Sequence, residues 1–286
     1  MESFDILVIG GGAAGICAAK AACSAGCRSI ALVDSGEEGG GVLLQCTHRG
    51  FGREQTGGEY AAELMRDFPE NIDIIKGTTV LSLSRDKRAI LSGGSEIAFK
   101  QLILATGCRE IPAGALPIAG TRPAGVYTAG QMQEMMNLYG VLPSGPVVIL
   151  GSGDLGLIMA RQLSELGLPA TLVEREEQCG GMARNRAFLK DGSVELICSA
   201  TVSEIYGEKH IERVRLSNGR YLPCATLLIA VGLVPERELA LGLEDVDWLQ
   251  LCGNCKSVHP MVEGVCAEGT QAGITAYERI KRENDR

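Results

Sequence analysis

Short apolar runs, each closed by glycine, alternate along this chain with longer alanine-rich or amphipathic stretches. "DILVI" at 5–9 is too short for a helix and is bounded by glycines, so it reads as a buried parallel strand. "GGGAAG" follows at 10–15, then an alanine-rich helical stretch to about Ala25, then "SIALV" ending at Asp34. The same order returns downstream. "PVVIL" at 146–150 leads into "GSGDLG" at 151–156, a helix through Leu166, and "ATLV" before Glu174. What comes next also repeats. Residues 79–99 read as short strands around "SRDK" and "SGGS", and residues 201–224 as short strands around "GEKH" and "SNGR", the last an Asn-Gly hairpin signal. Each meander runs into an apolar strand and a glycine, "QLILATG" at 101–107 and "TLLIAVG" at 226–232. One module is written twice.

The expected fold is α/β: two Rossmann-like dinucleotide-binding domains, each with a small β-meander, the second inserted in the first. "LQLCGN" and a helical tail at 262–282 remain after the second copy, and the first copy lacks a last strand and helix of its own. Giving the tail to it sets the first domain at 1–108 plus 248–286 and the second at 109–247.

Each glycine loop has its full context: a strand before it, a helix after it, and an acid at the end of the next strand, 24 residues from Gly10 to Asp34 and 23 from Gly151 to Glu174. Gly10 and Gly151 allow the tight turn. Gly12 and Gly153 let the backbone approach a pyrophosphate, and Gly15 and Gly156 let helix and strand pack closely. Ala13 and Ala14 fill the variable positions of the first loop, Asp154 and Leu155 those of the second. The helix start offers free amides and a partial positive charge to phosphates. Asp34 and Glu174 are placed to accept hydrogen bonds from a ribose diol. A 2′-phosphate would meet the charge of Glu174, so NAD(H) is expected over NADP(H), with the adjacent Arg175 as the counter-argument.

Composition narrows the rest. With 45% hydrophobic residues a sizeable core is available, and net charge −8 with 4% aromatics argues against a nucleic-acid partner. No run reaches the roughly 20 apolar residues of a membrane span, and no basic leader precedes an apolar core, so a cytoplasmic location is expected. The eleven cysteines are then expected as reduced thiols. Cys17, Cys23, Cys27, Cys198 and Cys224 fall in helix or strand patterns and read as core or boundary residues. Cys252 and Cys255 form a Cys-x-x-Cys pair that fits a redox dithiol, half a metal site, or a turn with no thiol chemistry. No metal site is expected. Cys46 with His48 suits an activated thiolate if the two side chains converge, and an ordinary small apolar loop residue if they do not.

The motifs "VIGGGAAG", "LILATGCRE", "VVILGSGDLG", "LLIAVGLVP" and "CGN", in that order over nearly the whole chain, resemble the two-dinucleotide-binding-domain flavoproteins, which include the pyridine nucleotide–disulfide oxidoreductases and thioredoxin reductases. The resemblance implies FAD in the first domain, a nicotinamide nucleotide in the second, and hydride passing between them. Transferred by motif, Gly10, Gly12, Ala13, Ala14 and Gly15 meet the FAD pyrophosphate, Asp34 and Ser35 its ribose, and Val80 its adenine. Gly40, Gly41 and Gln45 run beside the flavin, and Ala105, Thr106 and Gly107 form the second FAD motif. Gly253 and Asn254 stand at the final FAD motif, with Asn254 where the family has Asp. Gly151, Gly153, Asp154, Leu155, Gly156, Glu174, Arg175 and Gly232 hold the nicotinamide nucleotide.

The chain also departs from the pattern. "GVYTAGQMQEMM" has no cysteine pair, and the loop holding Cys46 has one cysteine rather than two. The stretches around 50–58 and between Pro235 and Cys252 are short against the family. A narrower resemblance, in "LLQCTHRGFG", "TRPAGVYTAGQ" and "GSGDLGLIMAR", is to flavoprotein subunits of glycerol-3-phosphate dehydrogenase-like, opine oxidase and sarcosine oxidase systems. The expected function is an FAD-dependent NAD(H) oxidoreductase passing electrons to a partner flavoprotein or dehydrogenase subunit. Homo-oligomerisation stays open. The alternatives are a thiol–disulfide reductase using Cys252/Cys255 or Cys46, and a non-catalytic FAD-binding assembly subunit.

Overall fold

The structure, a computed structural model, describes residues 2–284. It divides into two units, one built from the chain up to Arg109 and again from Val234 onward, the other from Glu110–Leu233.

In the first unit the strands Ile72–Ile75, Ile30–Val33, Glu2–Ile9, Glu96–Leu104 and Leu249–Leu251 lie side by side, all parallel. The central strand is apolar on both faces because both are covered. Ile6 and Val8 face one cluster with Ala14, Ala18, Ala22, Ala272, Ala276 and Ile280. Leu7 and Ile9 face another with Val80, Leu91, Phe99 and Trp248. That alternation is the period-two geometry of a strand. The helices Ala13–Ala25 and Val262–Asn284 supply the first cluster. The long strand Glu96–Leu104 serves twice: Leu102–Leu104 pair with Leu249–Leu251, while Glu96–Ala98 run antiparallel to the meander strand Arg88–Leu91. The tail thus completes the first unit's sheet.

The second unit repeats the plan. Val126–Thr128, Thr226–Ile229, Val147–Leu150, Ala170–Val173 and Glu195–Ile197 form its parallel sheet. Its meander, Val202–Tyr206, Arg213–Leu216 and Tyr221–Pro223, gains a short parallel neighbour at Ala119–Gly120.

One boundary differs from the sequence reading. The second unit ends at Leu233, not at 247. Residues 234–247 lie with the first unit because Ala240 and Leu243 are buried in the same cluster as Leu7 and Val80. Arg85 fastens the segment from outside, donating to Asp245 (2.7 Å) and to the Gly242 carbonyl (2.7 Å).

Candidate dinucleotide sites

The two glycine loops are built from the same hydrogen bonds. Gly10 N donates to Val33 O and Gly151 N to Val173 O, both at 2.8 Å. Ala105 N donates to Ile9 O and Ala230 N to Leu150 O, again both at 2.8 Å. Gly10 and Gly151 share φ +105°, and a Cβ on either would overlap a carbonyl oxygen, that of Ala105 or of Ala230. A Cβ on Gly15 or Gly156 would overlap the carbonyl of Gly10 or Gly151. These four glycines are demanded by the fold itself.

Gly12 and Gly153 are different. Each is the residue before its helix, each is extended, and a Cβ on either would have no atom within 4 Å. Neither helix start carries a side-chain cap. Open space therefore lies in front of unsatisfied helix-start amides, a cradle suited to a pyrophosphate.

The acids are tied to these loops. The Asp34 carboxylate accepts from Gly11 N and Gly36 N (2.6 Å for the latter). The Glu174 carboxylate accepts from Ser152 N (2.9 Å), Ser152 Oγ (2.5 Å) and Glu176 N (2.9 Å). Burial raises the Glu174 pKa, but the bonds from Glu176, Ser152 and the adjacent backbone outweigh it and hold the carboxyl below its ordinary value. A carboxylate offers about four lone-pair directions, so acceptor capacity remains on both acids for a ribose diol. Arg175 is exposed and paired to Glu176 at 2.9 Å.

The repeat reaches further than the glycine motifs. Gly40 N donates to Gly11 O, and Gly41 lies against Gly12. In the second unit Gly180 N donates to Ser152 Oγ at 2.8 Å, while Met182 N and Asn185 Nδ2 each donate to Asp154 Oδ1 at 2.7 Å. Gly180-Gly181 stands six residues after Glu174, as Gly40-Gly41 stands six after Asp34. Sequence reading missed this second pair, although the equal spacing was available. Val80 opens its strand beside the Asp34 turn, where Thr78 N donates to Asp34 O at 2.9 Å. Val202 is its counterpart, with Ala200 N donating to Glu174 O at 2.9 Å.

Ser35 is exposed next to Asp34, and Gln45 closes the short helical turn Gly41–Gln45. Thr106 Oγ1 donates to Glu236 O (2.5 Å), and Glu236 N donates back to Gly107 O (2.9 Å). Gly232 has φ +141° and accepts from Ile111 N at 3.1 Å. Leu155 is partly buried in the second unit's core.

Gly253, Asn254 and Cys255 form a single helical turn against the glycine-loop helix. A Cβ on Gly253 would lie 2.8 Å from Ala14 Cβ. Gly253 N donates to Glu268 Oε2 (2.9 Å), and Asn254 Oδ1 accepts from His259 N (2.9 Å). The Asn254 side-chain oxygen thus ties His259 to the turn. Glu268 also receives Lys256 Nζ (3.0 Å), so its charge at this turn is compensated. Cys252 and Cys255 are buried, and Cys255 Sγ donates to Leu104 O at 2.9 Å. Burial, with the neighbouring Cys255, pushes the Cys252 thiol up to about 12. Burial does the same to Cys46, whose Sγ donates to Val42 O at 3.3 Å, while the His48 ring packs tilted against Phe51, 5.2 Å between centroids. Among the described residues no group of three or more His, Cys, Asp or Glu is placed to hold a metal, and no helix is long and apolar enough to cross a membrane.

By its open helix start and the acid beside it, each cradle has the donors and acceptors that a dinucleotide's pyrophosphate and ribose call for. Comparison with known proteins agrees with this architecture. The chain is 29% identical to a subunit of the opine oxidase of Agrobacterium tumefaciens (strain Ach5) over 97% of its own length and 63% of that protein's. It is 28% identical to the probable ferredoxin reductase CtmF of Castellaniella defragrans over 72% of its length and 54% of the relative's. It therefore spans little more than half the length of these relatives. Its fold matches the crystal structure of T. acidophilum thioredoxin reductase with a TM-score of 0.80, at 21% identity, covering 98% of this chain and 99% of that one. The model of the pyridine nucleotide-disulphide oxidoreductase family matches residues 4–250. With two glycine-loop units and a match over most of its length, the chain belongs to the pyridine nucleotide-disulphide oxidoreductase family.

Proposed function

We propose that the first unit holds FAD, that the second holds NAD(H), and that electrons taken from NADH leave the chain to a partner protein. The observation that carries this reading is the repetition of the glycine loop and its backbone bonds to the acid in both units, with a Gly-Gly segment hydrogen-bonded back to each loop. FAD, when bound, supplies the chemistry of accepting hydride from a nicotinamide and releasing electrons onward. The protein's part is to bind and orient. The helix starts at Gly12 and Gly153 hold the pyrophosphates, and Asp34 and Glu174 hold the riboses.

Glu174 supports NAD(H) over NADP(H). Its carboxylate is anchored by Ser152 and Glu176 and stays charged, so a 2′-phosphate there meets a fixed negative charge. The Arg175 guanidinium faces solvent and is engaged by the Glu176 carboxylate, which competes with a phosphate for it. The partner side of the reading rests on the relatives, one of them part of an opine oxidase and one a ferredoxin reductase.

A thiol–disulfide reductase needs an accessible, ionisable thiol. Cys252 and Cys255 are buried with raised pKa values, and Cys46 is pushed up to about 12, so these thiols speak against that reading.

The test is anaerobic mixing of the FAD-loaded protein with NADH or NADPH. The flavin absorbance should bleach with NADH, more weakly with NADPH, and unchanged in Cys252→Ser. Equal or better bleaching by NADPH would overturn the nucleotide assignment. Bleaching by neither would leave non-catalytic FAD binding as the function.

A further inference from the structure

The second glycine loop carries Ser152 where the first has Gly11, and Asp154 where the first has Ala13. One segment engages both side chains. Gly180 N donates to Ser152 Oγ at 2.8 Å, and Met182 N and Asn185 Nδ2 each donate to Asp154 Oδ1 at 2.7 Å. In the first unit the corresponding bond runs from backbone to backbone, Gly40 N to Gly11 O. The second loop has moved this bond onto a hydroxyl, and a hydroxyl that accepts still has a proton to give. Ser152 Oγ gives it to Glu174 Oε2 at 2.5 Å.

The two acids differ to match. Asp34 is held by the backbone amides of Gly11 and Gly36. Glu174 has one more methylene, hence one more rotatable bond to immobilise. Beyond the matching amides of Ser152 and Glu176, it receives the Ser152 hydroxyl. Ser152 is 0% exposed, so its hydroxyl does not reach into the cradle and acts through Glu174.

We propose that Ser152 is the positioning residue that sets the second unit's preference for a free ribose 2′-hydroxyl over a 2′-phosphate, a role that rests on the reading of that unit as an NAD(H) site. Three donors occupy most of the roughly four acceptor directions of the Glu174 carboxylate. What remains is a fixed acceptor for a ribose hydroxyl and a charge that cannot swing away from a phosphate. Loss of the Ser152 hydroxyl has two opposed effects. It frees an acceptor direction, and it lets the carboxylate rotate, so that binding a ribose must immobilise the side chain each time. The second effect wins, because the rotation also lets the charge retreat from a 2′-phosphate.

The experiment titrates the FAD-loaded full-length protein calorimetrically with NAD⁺ and with NADP⁺, neither of which reduces the flavin, and then follows anaerobic bleaching by NADH. Ser152→Gly removes the hydroxyl and installs the residue that the first loop carries at the same place, so the loop geometry accommodates it. Ser152→Ala is the second variant. In both, the Kd for NAD⁺ should rise by roughly tenfold, as for the loss of a hydrogen bond to a charged group. NADP⁺ should weaken less, so the ratio of the two Kd values narrows. The loss should fall on Kd more than on the bleaching rate at saturating NADH. In a Glu174→Gln background, Ser152→Gly should narrow the ratio little further, because the two residues act as one unit. Unchanged or tighter NAD⁺ binding in both Ser152 variants, or an equal effect of Ser152→Gly with and without the Glu174 carboxylate, would overturn the positioning role alone. A wild-type protein that takes up neither nucleotide would overturn the NAD(H) reading and this role with it.

Discussion

At the scale of single residues, the two kinds of glycine in each loop make opposite predictions. Gly151 has φ +105° and no room for a Cβ beside the Ala230 carbonyl. Gly151→Ala should therefore destabilise the second unit by about 2 kcal/mol or more, through both strain and overlap. Gly153 faces open space, so Gly153→Ala should leave the thermal midpoint nearly unchanged yet raise the KM for NADH by roughly tenfold or more, since a Cβ would intrude on the pyrophosphate. Thermal unfolding and steady-state kinetics on the two variants separate the effects. Equal stability losses would show that Gly153 is a folding glycine like Gly151. Gly151 was legible in the sequence because sterics leave no other residue type there, and Gly153 because its spacing within the glycine loop marks the approach to a pyrophosphate. Gly180-Gly181 was masked because only its spacing from the acid repeats: the preceding "EEQC" differs from the "GEEG" before Gly40-Gly41. Glu174 adds a pH prediction. Its folded pKa is lowered, so its stabilising contribution is fully present above the ordinary glutamate pKa and is lost as pH falls through the lowered value. Glu174→Gln should flatten that acid-side loss in a pH series of thermal midpoints. An unchanged acid slope would mean that the bonds from Ser152 and Glu176 do not favour the charged form.

At the scale of elements, the tail helix was readable, but its packing partner was not. Apolar periodicity marks large side chains, whereas the helix Val262–Asn284 seats on Ala13–Ala25 through glycines and alanines: Gly269, Ala272, Gly273 and Ala276. Two effects compete when such a glycine becomes alanine. Helix propensity gains up to about 1 kcal/mol. Overlap with a backbone carbonyl that cannot move aside costs about 1–3 kcal/mol or more. Overlap should win, so Gly273→Ala should lower the thermal midpoint by several degrees, at about 2–4 °C per kcal/mol for a unit of this size. A midpoint that rises would show that the helices can slide apart without loss. The boundary at 233 escaped sequence reading for a related reason. Beyond the short strand Leu233–Pro235 that opens it, the segment to 247 holds a three-residue helical turn, Glu238–Ala240, so Ala240 and Leu243 reach the core without a helical or strand period to announce them.

At the scale of the whole molecule, each unit spends its sheet, first helix and acid on one nucleotide cradle, and the same elements recur in both. A small organic substrate calls for a pocket where several polar groups converge. Asp34 with the backbone amides of Gly11 and Gly36, and Glu174 with Ser152, are two such convergences, and both lie in the proposed cradles. On the proposed function, electrons from NADH leave for another protein rather than for a metabolite bound by these units. The FAD-loaded chain alone should reduce artificial dyes with NADH at ordinary enzyme rates, roughly 1–10³ per second. With sarcosine, proline or glycerol 3-phosphate as donor it should bleach its flavin far more slowly. Adding the protein that co-purifies from the native host should restore donor turnover, because the partner then brings the donor site. Should the isolated chain oxidise one of these donors as fast as it oxidises NADH, the electron path would run through a substrate pocket of its own, and the partner would be dispensable.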